Sequence, residues 1–303
     1  MTDIVIVSWN SGHFLKACVE SILTPLNEPL VASIIIIDNN SFDNSVKQLP
    51  LHSKIKIVKN SDNKGFAFAA NQGFKMCTAT YSLLLNPDAR LQETTLPDCI
   101  RYMQQYPKTD ILGCSLLDDN GHVSVSCARF PTAFRFFTDA IGLSKWNPKR
   151  FKPALLMTDW DHKSSRRVNQ VMGAFMFMPT HIFNRYGYFD ERFFVYCEEL
   201  DFSKRVTDAG GTIFFNHQIS AVHSGKGTTE NVKAFRLFLN LRSKVQYARK
   251  HFSLPAFLFT AGVIFVLEPA TRFVYLLLKG NKEDVKQLIR GYQLLYRWKL
   301  PNT

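Results

Sequence analysis

The chain lacks the sequence signatures of several large protein classes. No G-x-G-x-x-G follows the first apolar run and no G-x-x-x-x-G-K-S/T occurs, so the phosphate-binding loops of dinucleotide-binding and P-loop proteins are missing. The six cysteines have no C-x-x-C spacing, which predicts reduced thiols in a cytosolic protein. Met1 is followed almost directly by the apolar run Ile4–Val7, so we expect no signal peptide.

Acidic residues are scarce in the last quarter of the chain. The net charge is +12, and residues 231–303 contain thirteen Lys and Arg but only three acids. Such a basic segment can bind nucleic acid or an anionic membrane surface. Here the basic residues flank the apolar segment 252–278 and are not interleaved along the predicted sheet. We therefore predict an anionic membrane surface as a partner and no nucleic acid.

The same segment has no uninterrupted apolar run long enough to span a bilayer. Glu268, Pro269 and Arg272 interrupt it. The uninterrupted apolar stretch, residues 254–267, is shorter than the ~20 residues that a spanning helix needs. We predict a pair of helices that lies in the membrane interface. A buried helical hairpin and a true membrane span are the alternatives.

Apolar runs and helical patterns alternate along the first half of the chain. We predict strands at residues 4–8, 34–37, 55–58, 81–85 and 110–114, with helices at 14–23, 66–76 and 96–101 between them. This alternation indicates a doubly wound α/β fold with a parallel sheet.

The pattern is less regular in the second half. Residues 129–167 are expected to be irregular, followed by strands at 171–178, 212–215 and 220–222 and by a helix at 198–209.

Acidic and polar residues follow the predicted strands. Asp38 ends the second strand and Asp88 follows the fourth, and ligands of α/β sheets bind at the carboxyl ends of strands. A divalent cation that is bound by a diphosphate often needs only one or two protein carboxylates, so Asp88 is a candidate metal ligand, with His223 as a possible nitrogen ligand. Taken alone, Asp38 is more often a turn residue and a lone histidine is more often structural.

Two predicted helix starts carry further candidate residues. Lys64 and Gly65 resemble a loop that approaches a phosphate group at a helix N-terminus, although an ordinary capped helix is equally consistent. Glu198 and Asp201 lie on one face of a helix start and Glu199 points elsewhere; simple capping is the alternative. The aromatic residues at 193, 194 and 196 predict a partly dry site, where a carboxylate can have the raised pKa of a general base.

Eight segments in order resemble the GT-A fold glycosyltransferases of family 2, and among them the bacterial rhamnosyltransferases. The resemblance covers residues 3–250. Its donor-side segments are residues 7–10 (V-S-W-N), 37–43 (I-D-N-N-S-F-D), 63–73 (N-K-G-F-A-F-A-A-N-Q-G) and 85–88 (L-N-P-D). The later segments are residues 173–175 (G-A-F), 188–194 (Y-F-D-E-R-F-F), 198–205 (E-E-L-D-F-S-K-R) and His223 with Thr228.

The resemblance implies a role for particular residues. It predicts that the nucleotide-sugar donor contacts Ser8, Trp9, Asn10, Asp38, Asn40, Asn63, Lys64, Gly65, Phe66, Asn71, Asn86 and Asp88. It predicts that the acceptor contacts Gly173, Ala174, Phe194 and Asp201. Asp88 and His223 would bind Mg²⁺ or Mn²⁺, and Glu199 or Glu198 would be the catalytic base.

Three residues depart from the family pattern. Asn86 replaces the first acid of the D-x-D metal motif, so one metal carboxylate is missing. Glu199 replaces the more usual aspartate, which leaves the base open between Glu198 and Glu199. Tyr188 replaces a glycine.

The resemblance also implies a fold and a domain organisation. The expected fold is α/β, of the GT-A nucleotide-diphospho-sugar transferase type, with a Rossmann-like, mostly parallel sheet flanked by helices. The catalytic domain would span residues 1–230, with a nucleotide-sugar half at about 1–115 and an acceptor half at about 116–230. Residues 231–303 would form a basic, apolar helical extension.

The expected activity is that of an inverting glycosyltransferase in cell-surface polysaccharide synthesis, of the O-antigen (lipopolysaccharide) or capsule type. It would move L-rhamnose from dTDP-L-rhamnose to a lipid-linked saccharide at the cytoplasmic face of the bacterial inner membrane, as a peripheral protein. A UDP-sugar or another dTDP-sugar, carrying galactose, N-acetylglucosamine or fucose, is the alternative donor. An inactive membrane scaffold with the same fold is the rival outside the enzyme class.

Overall fold

The computed structural model of the chain describes residues 1–225 and 233–299, so the predicted match at Thr228 lies outside the described residues. Contacts divide the chain into two compact units. The first contains Met1–Ala128, Trp160–Arg192 and Glu198–Thr228, and the second contains Arg129–Asp159, Phe193–Cys197 and Thr229–Thr303. The expected domain boundary near residue 230 stays a prediction, since residues 129–159 group with the C-terminal part.

The first unit is built on strands. In chain order they are β1 (Thr2–Ser8), β2 (Val31–Asp38), β3 (Ile55–Lys59), β4 (Tyr81–Leu85), β5 (Ala89–Leu91), β6 (Ile111–Leu117), β7 (Cys127–Ala128), β8 (Arg166–Arg167), β9 (Gln170–Val171), β10 (Phe175–Pro179) and β11 (Ile213–His223). The main sheet has the order β3-β2-β1-β4-β10-β6-β11-β5, with β8 beside β11, and β7 pairs with β9 in a separate ribbon. Its pairs β2–β3, β1–β2, β1–β4 and β6–β11 are parallel, and β10 is antiparallel to both of its neighbours.

The helices are distributed over both units. Those of the first unit are α1 (Gly12–Ile22), α2 (Phe66–Phe74), α3 (Thr95–Gln105), α6 (Ile182–Tyr186) and α7 (Glu198–Asp208). Those of the second are α4 (Ala133–Ala140), α5 (Leu143–Trp146), α8 (Lys233–His251), α9 (Leu254–Gly262), α10 (Glu268–Leu278) and α11 (Lys282–Arg297).

Isoleucine-rich strands explain where the core of the first unit lies. Residues 4–6 of β1 and 34–37 of β2 are fully buried, as expected for strands covered on both faces. Helix α2 lies very close to β1: a Cβ on Gly73 would stand 2.3 Å from Cγ1 of Val5. Only glycine fits there without displacing the helix or the strand, so the carboxyl-terminal end of α2 packs closely on the middle of β1.

Several predicted elements differ from the structure. The predicted strands 212–215 and 220–222 are one strand, β11, with an irregular register between Asn216 and Ser220. The predicted strand 171–178 breaks before β10, so that β9 and β10 pair in different sheets. The expectation that residues 129–167 are irregular is wrong. They contain α4 and α5, and Thr132 caps α4 by accepting a hydrogen bond from the Arg135 N–H at 3.3 Å.

The prediction of two C-terminal interface helices is also wrong in one respect. Helix α9, a π-helical turn at Val263–Leu267 and α10 form one unbroken helix, Leu254–Leu278. Pro269 removes the N–H that would bond the Phe265 carbonyl, and the Tyr296 hydroxyl donates to that carbonyl at 2.6 Å instead. This bond from α11 satisfies the backbone where the sequence predicted a break.

The helix Leu254–Leu278 is long and apolar enough to cross a membrane by length and composition, a test that core helices of soluble proteins also pass. Only 22% of its most apolar window is buried within the protein. Its buried side, including Ile264, packs against α8 and α11 through Leu241, Val245 and Leu295. The other side leaves large apolar residues exposed: Leu254, Leu258, Phe259, Val266, Phe273, Val274, Leu277 and Leu278.

Candidate active site

The carboxyl ends of β1 and β2 are joined by hydrogen bonds between their loops. Ser8 and Asp38 are register partners, and the Asp38 carboxylate accepts from the Ser41 N–H at 2.9 Å. The Asn10 N–H donates to the Ser41 hydroxyl at 2.9 Å, and the Asn10 side-chain oxygen accepts from the Phe42 N–H at 2.9 Å. Two predicted donor residues, Asn10 and Asp38, therefore shape one loop at the sheet edge.

A residue that was not predicted from the sequence, Asn39, orders the next loop. Its side-chain oxygen accepts from Asn60 at 3.0 Å, and its Nδ2 donates to the Asn63 side chain at 2.8 Å. Asn63 in turn accepts from the Gly65 N–H at 3.0 Å, where the chain has a positive φ of 94° before α2 begins. Asn39 lies between two predicted residues in the sequence, but no local pattern indicates this bridging role.

Lys64 extends from this loop into solvent. Its ammonium group lies 5.0 Å from the centre of the Phe68 ring and 3.8 Å from the Asp62 carboxylate. Both contacts are weak surface contacts, so the side chain can turn toward an anion. Gly65 and Phe66, also predicted to bind the donor, lie where the loop enters α2.

Asp88 and His223 are brought together by strand pairing. In the antiparallel pair β5–β11, His223 is the register partner of Ala89, and its Nε2 lies 3.3 Å from Oδ1 of Asp88. Among residues 1–225 and 233–299, no group of three or more His, Cys, Asp or Glu could hold a metal ion. The pair nevertheless fits Mg²⁺ or Mn²⁺ in a site whose other ligands are diphosphate oxygens and water.

A second set of contacts joins this pair to the candidate base. The Asn86 N–H donates to the Ala174 carbonyl at 3.0 Å. The next residue back, Gly173, faces Glu199: a Cβ there would stand 3.6 Å from Oε1, and the nearby Gly173 backbone opposes the burial effect by lowering the pKa of this carboxyl group. The predicted metal, donor and acceptor segments therefore meet at the carboxyl end of β4.

The two glutamates that open α7 differ in their exposure. Glu198 is buried, whereas Glu199 is partly exposed. Each has one buried carboxylate oxygen with no hydrogen-bond partner among residues 1–225 and 233–299. Burial, together with the neighbouring Glu199 charge, raises the pKa of Glu198 well above its ordinary value, and burial raises the pKa of Glu199.

Three predicted site residues have contacts that hold the surrounding loops. Asn71 donates to the Phe189 carbonyl at 2.9 Å and accepts from its N–H at 3.0 Å. Asp201 is fully buried and pairs with Arg205 at 3.0 Å. The Ser8 hydroxyl is buried and lies 3.0 Å from that of Ser11.

The remaining predicted residues are less constrained. Trp9 is half-buried and Asn40 is exposed with a φ of 67°. Phe194 belongs to the second unit, so its acceptor role stays a prediction.

We expect the Glu198→Gln variant to be more stable than the wild type at neutral pH. The pKa of Glu198 is higher in the folded than in the unfolded protein, so the folded state binds more protons, and stability falls as pH rises from about 4.5 through the folded pKa. Glutamine removes this loss, which amounts to about 1.4 kcal/mol for every tenfold difference in acid dissociation constant between the two states. Urea unfolding at pH 5 and pH 8 measures the effect.

The exposed Glu93 provides a control for this experiment. Glu93→Gln should change the free energy of unfolding by less than about 0.5 kcal/mol at both pH values. A stability gap for Glu198→Gln that does not widen between pH 5 and pH 8 contradicts the proposed burial effect.

Comparisons with known proteins bear on the family and the fold. A family model described as glycosyl transferase family 2 matches residues 3–150. N-acetylglucosaminyl-diphospho-decaprenol L-rhamnosyltransferase of Mycobacterium tuberculosis is 21% identical over 258 residues, covering 80% of this chain and 83% of that protein. Rhamnosyltransferase WbbL of Escherichia coli is 25% identical over 263 residues, which cover 82% of this chain and 94% of that protein.

Over residues 3–150 the chain is similar to glycosyl transferase family 2. The predicted family and its rhamnosyltransferase-like character are thus confirmed, and the enzyme class is glycosyltransferase. Two solved structures support the expected α/β, GT-A-type fold.

The first is GalNAc-T7 with UDP, GalNAc and Mn²⁺, which aligns with a TM-score of 0.57 at 14% identity over 82% of this chain and 47% of that one. This chain thus spans about half of GalNAc-T7. The second is mannosyltransferase PcManGT of Pyrobaculum calidifontis with GDP-Man and Mn²⁺. It aligns with a TM-score of 0.54 at 11% identity, over 99% of this chain and 76% of that one.

Proposed function

We propose that the protein is an inverting glycosyltransferase that transfers L-rhamnose from dTDP-L-rhamnose to a lipid-linked glycan. The observation that carries the proposal is the set of contacts at the end of β4. There Asp88 lies beside His223, Asn86 bonds to Ala174, and Gly173 contacts Glu199. The donor and the acceptor class are proposed from two relatives named rhamnosyltransferases, one of which is named for a decaprenol-linked acceptor.

The donor would lie along the loops at the ends of β1, β2 and β4. Asp38 and Asn10 shape the loop for the nucleotide base, and Lys64 supplies a cation for the diphosphate. Asp88 and His223 would hold Mg²⁺ or Mn²⁺, which would neutralise charge on the departing nucleoside diphosphate.

Glu199 is proposed as the general base. Its carboxylate takes the proton of an acceptor hydroxyl while that oxygen attacks the anomeric carbon. The bond from that carbon to the diphosphate oxygen breaks in the same displacement, so the configuration inverts. Glu199 is chosen over Glu198 because its carboxylate faces Gly173, next to the contact between Ala174 and Asn86.

A panel of nucleotide sugars tests the proposal. Thermal shifts would be measured with dTDP-L-rhamnose, UDP-galactose, UDP-N-acetylglucosamine and GDP-fucose, each with and without Mn²⁺. We expect dTDP-L-rhamnose with Mn²⁺ to give the largest rise in Tm, because ligand binding to the folded state stabilises it. A larger shift with a UDP-sugar would replace the donor assignment, and no shift with any nucleotide sugar would favour an inactive scaffold.

The proposed location is the cytoplasmic face of the bacterial inner membrane. Its support is the exposed apolar side of the helix Leu254–Leu278 and the basic residues around it. The ion pair between buried Glu268 and Arg272, at 2.6 Å, lies within this helix. A charged pair halfway along the helix favours a position in the interface over a span.

We expect serine substitutions on this exposed side to weaken binding to vesicles that contain anionic lipid. Leu258, Val266 and Leu277 are more than half exposed. Burying such a side chain contributes about 1.5–3 kcal/mol, so the triple variant should partition at least about 100-fold less strongly in vesicle cosedimentation.

Leu26 and Leu51 supply a matched control in the first unit, since both are exposed. Serine at these two positions should leave vesicle binding unchanged. Equal binding of wild type and triple variant would assign the apolar side to another partner.

A further inference from the structure

A groove between α8 and α11 combines basic and apolar side chains. It has a volume of about 410 Å³, and it is lined by Ala234, Phe235, Gln287, Arg290, Gln293, Leu294 and Arg297. Both helices belong to the second unit. None of the described residues that line the groove is acidic.

The two arginines stand on one side of α11. They are seven residues apart, which is two helical turns or about 10 Å along the axis. Neither guanidinium has a hydrogen bond or an ion pair within residues 1–225 and 233–299. The neighbouring Gln287 is different, because its amide already donates to Glu283 at 2.7 Å. Both guanidinium groups are therefore available to an anion that enters the groove.

The remaining lining indicates that the anion carries an apolar group. Phe235 and Leu294 are 43% and 38% exposed within the groove, so a hydrocarbon chain can cover them. The opposite side of α11 is fixed, because Leu288, Tyr292 and Leu295 are buried against α8 and the helix Leu254–Leu278. The groove is therefore held open on a rigid support.

A third guanidinium lies near the carboxyl end of α11. Arg242 of α8 stands 5.7 Å from the centre of the Trp298 ring, and Trp298 follows Arg297 directly. Its Nε is buried without a hydrogen-bond partner in the described part of the chain. Arg242 does not line the groove, so Arg290 and Arg297 are the groups that an anion in the groove would contact.

We propose that this groove binds the phosphate headgroup of an anionic membrane lipid, with Arg290 and Arg297 on the phosphate and Phe235 and Leu294 against the first part of an acyl chain. The inference rests on the membrane attachment proposed above and gives it a defined site. Guanidinium groups are well suited to phosphate because they can donate two hydrogen bonds at once. The protein would then hold one lipid in a fixed position, in addition to its diffuse attraction to the surface.

A monomeric short-chain lipid tests the site without a bilayer. The full chain would be titrated calorimetrically with dihexanoylphosphatidylglycerol below its micelle concentration. We expect one-to-one binding that weakens at least tenfold in the double variant Arg290→Gln/Arg297→Gln. Dihexanoylphosphatidylcholine should bind more weakly than the anionic lipid.

Lys282 and Lys286 give a control of equal charge on the same helix, because they do not line the groove. Lys282→Gln/Lys286→Gln should change the affinity less than twofold. An equal loss in both double variants would mean diffuse electrostatic attraction and would overturn the site. Binding of farnesyl diphosphate but not of the phosphatidylglycerol would overturn the assigned occupant.

The same variants separate this inference from the proposed activity. The arginine variant should hydrolyse dTDP-L-rhamnose at the wild-type rate and keep the wild-type circular dichroism spectrum. If no nucleotide sugar is turned over by any variant while the arginine effect persists, the proposed function fails and the lipid site stands.

Discussion

Replacing Glu199 by glutamine is expected to lower kcat by at least about 100-fold, the lower end of what a positioned general base contributes. Glutamine has nearly the same shape as glutamate, so the packing against Gly173 should survive. The amide cannot accept the acceptor proton. Donor affinity should change little, because the proposed diphosphate contacts come from Lys64 and the Asp88–His223 pair. Steady-state kinetics with a saturating donor measure this effect.

The pH dependence of kcat gives an independent readout. Burial raises the pKa of Glu199, and the base acts only when it is deprotonated. The wild-type kcat should therefore rise with pH through a value above 4.5. The Glu199→Gln variant should lose that rise.

Glu198 is the matched control for this experiment. Glu198→Gln should keep kcat within about tenfold of the wild type while it stabilises the fold at neutral pH. If the Glu198 variant loses activity and the Glu199 variant does not, the two roles are exchanged.

The sequence predicted most of the strands that position the site. The apolar runs of β1, β2 and β4 are unbroken, and each ends in polar residues, so their type and direction follow from the pattern. The family resemblance then placed Asp88 and Glu199 in one site although they are far apart in the chain. This prediction came from the resemblance, because Glu199 opens helix α7 and does not follow a parallel strand.

Other features depend on partners that are distant in sequence. The position of β10 between β4 and β6, antiparallel to both, is what joins Asn86 to Ala174, and an apolar run does not specify its neighbours. At Pro269 the unbroken helix combines a π-helical turn with a hydrogen bond from the Tyr296 hydroxyl of α11 to the Phe265 carbonyl. The support that Asn71 gives to the Phe189 backbone crosses 118 residues, so local pattern alone could not separate this role from ligand contact.

Asp88→Ala is expected to reduce kcat/KM by at least about 100-fold and to weaken donor binding when Mn²⁺ is present. Asp88 is the only carboxylate of the N-P-D segment, because Asn86 takes the place of the other acid. A metal ion at a departing diphosphate contributes several kcal/mol, and about 1.4 kcal/mol corresponds to a tenfold change in rate. Loss of its carboxylate ligand should remove most of that contribution.

His223→Gln should have a smaller effect of the same kind. His223 lies 3.3 Å from the Asp88 carboxylate, so glutamine keeps a polar group there but removes the imidazole ligand. The Mn²⁺ concentration needed for half-maximal activity should rise in this variant, with kcat at saturating metal closer to that of the wild type. This split distinguishes a metal ligand from a residue that only stabilises the strand end.

Asp62→Ala is the control for the loss of an acid on the donor side. Asp62 is exposed, and its carboxylate lies as far as 3.8 Å from the ammonium group of Lys64. The variant should leave the Mn²⁺ dependence unchanged. Full wild-type activity in the presence of EDTA, or a nearly normal Asp88→Ala enzyme, would falsify the metal assignment. In that case the charge of the leaving diphosphate would have to be balanced by side chains such as Lys64, and Lys64→Ala should then show the large loss expected here for Asp88.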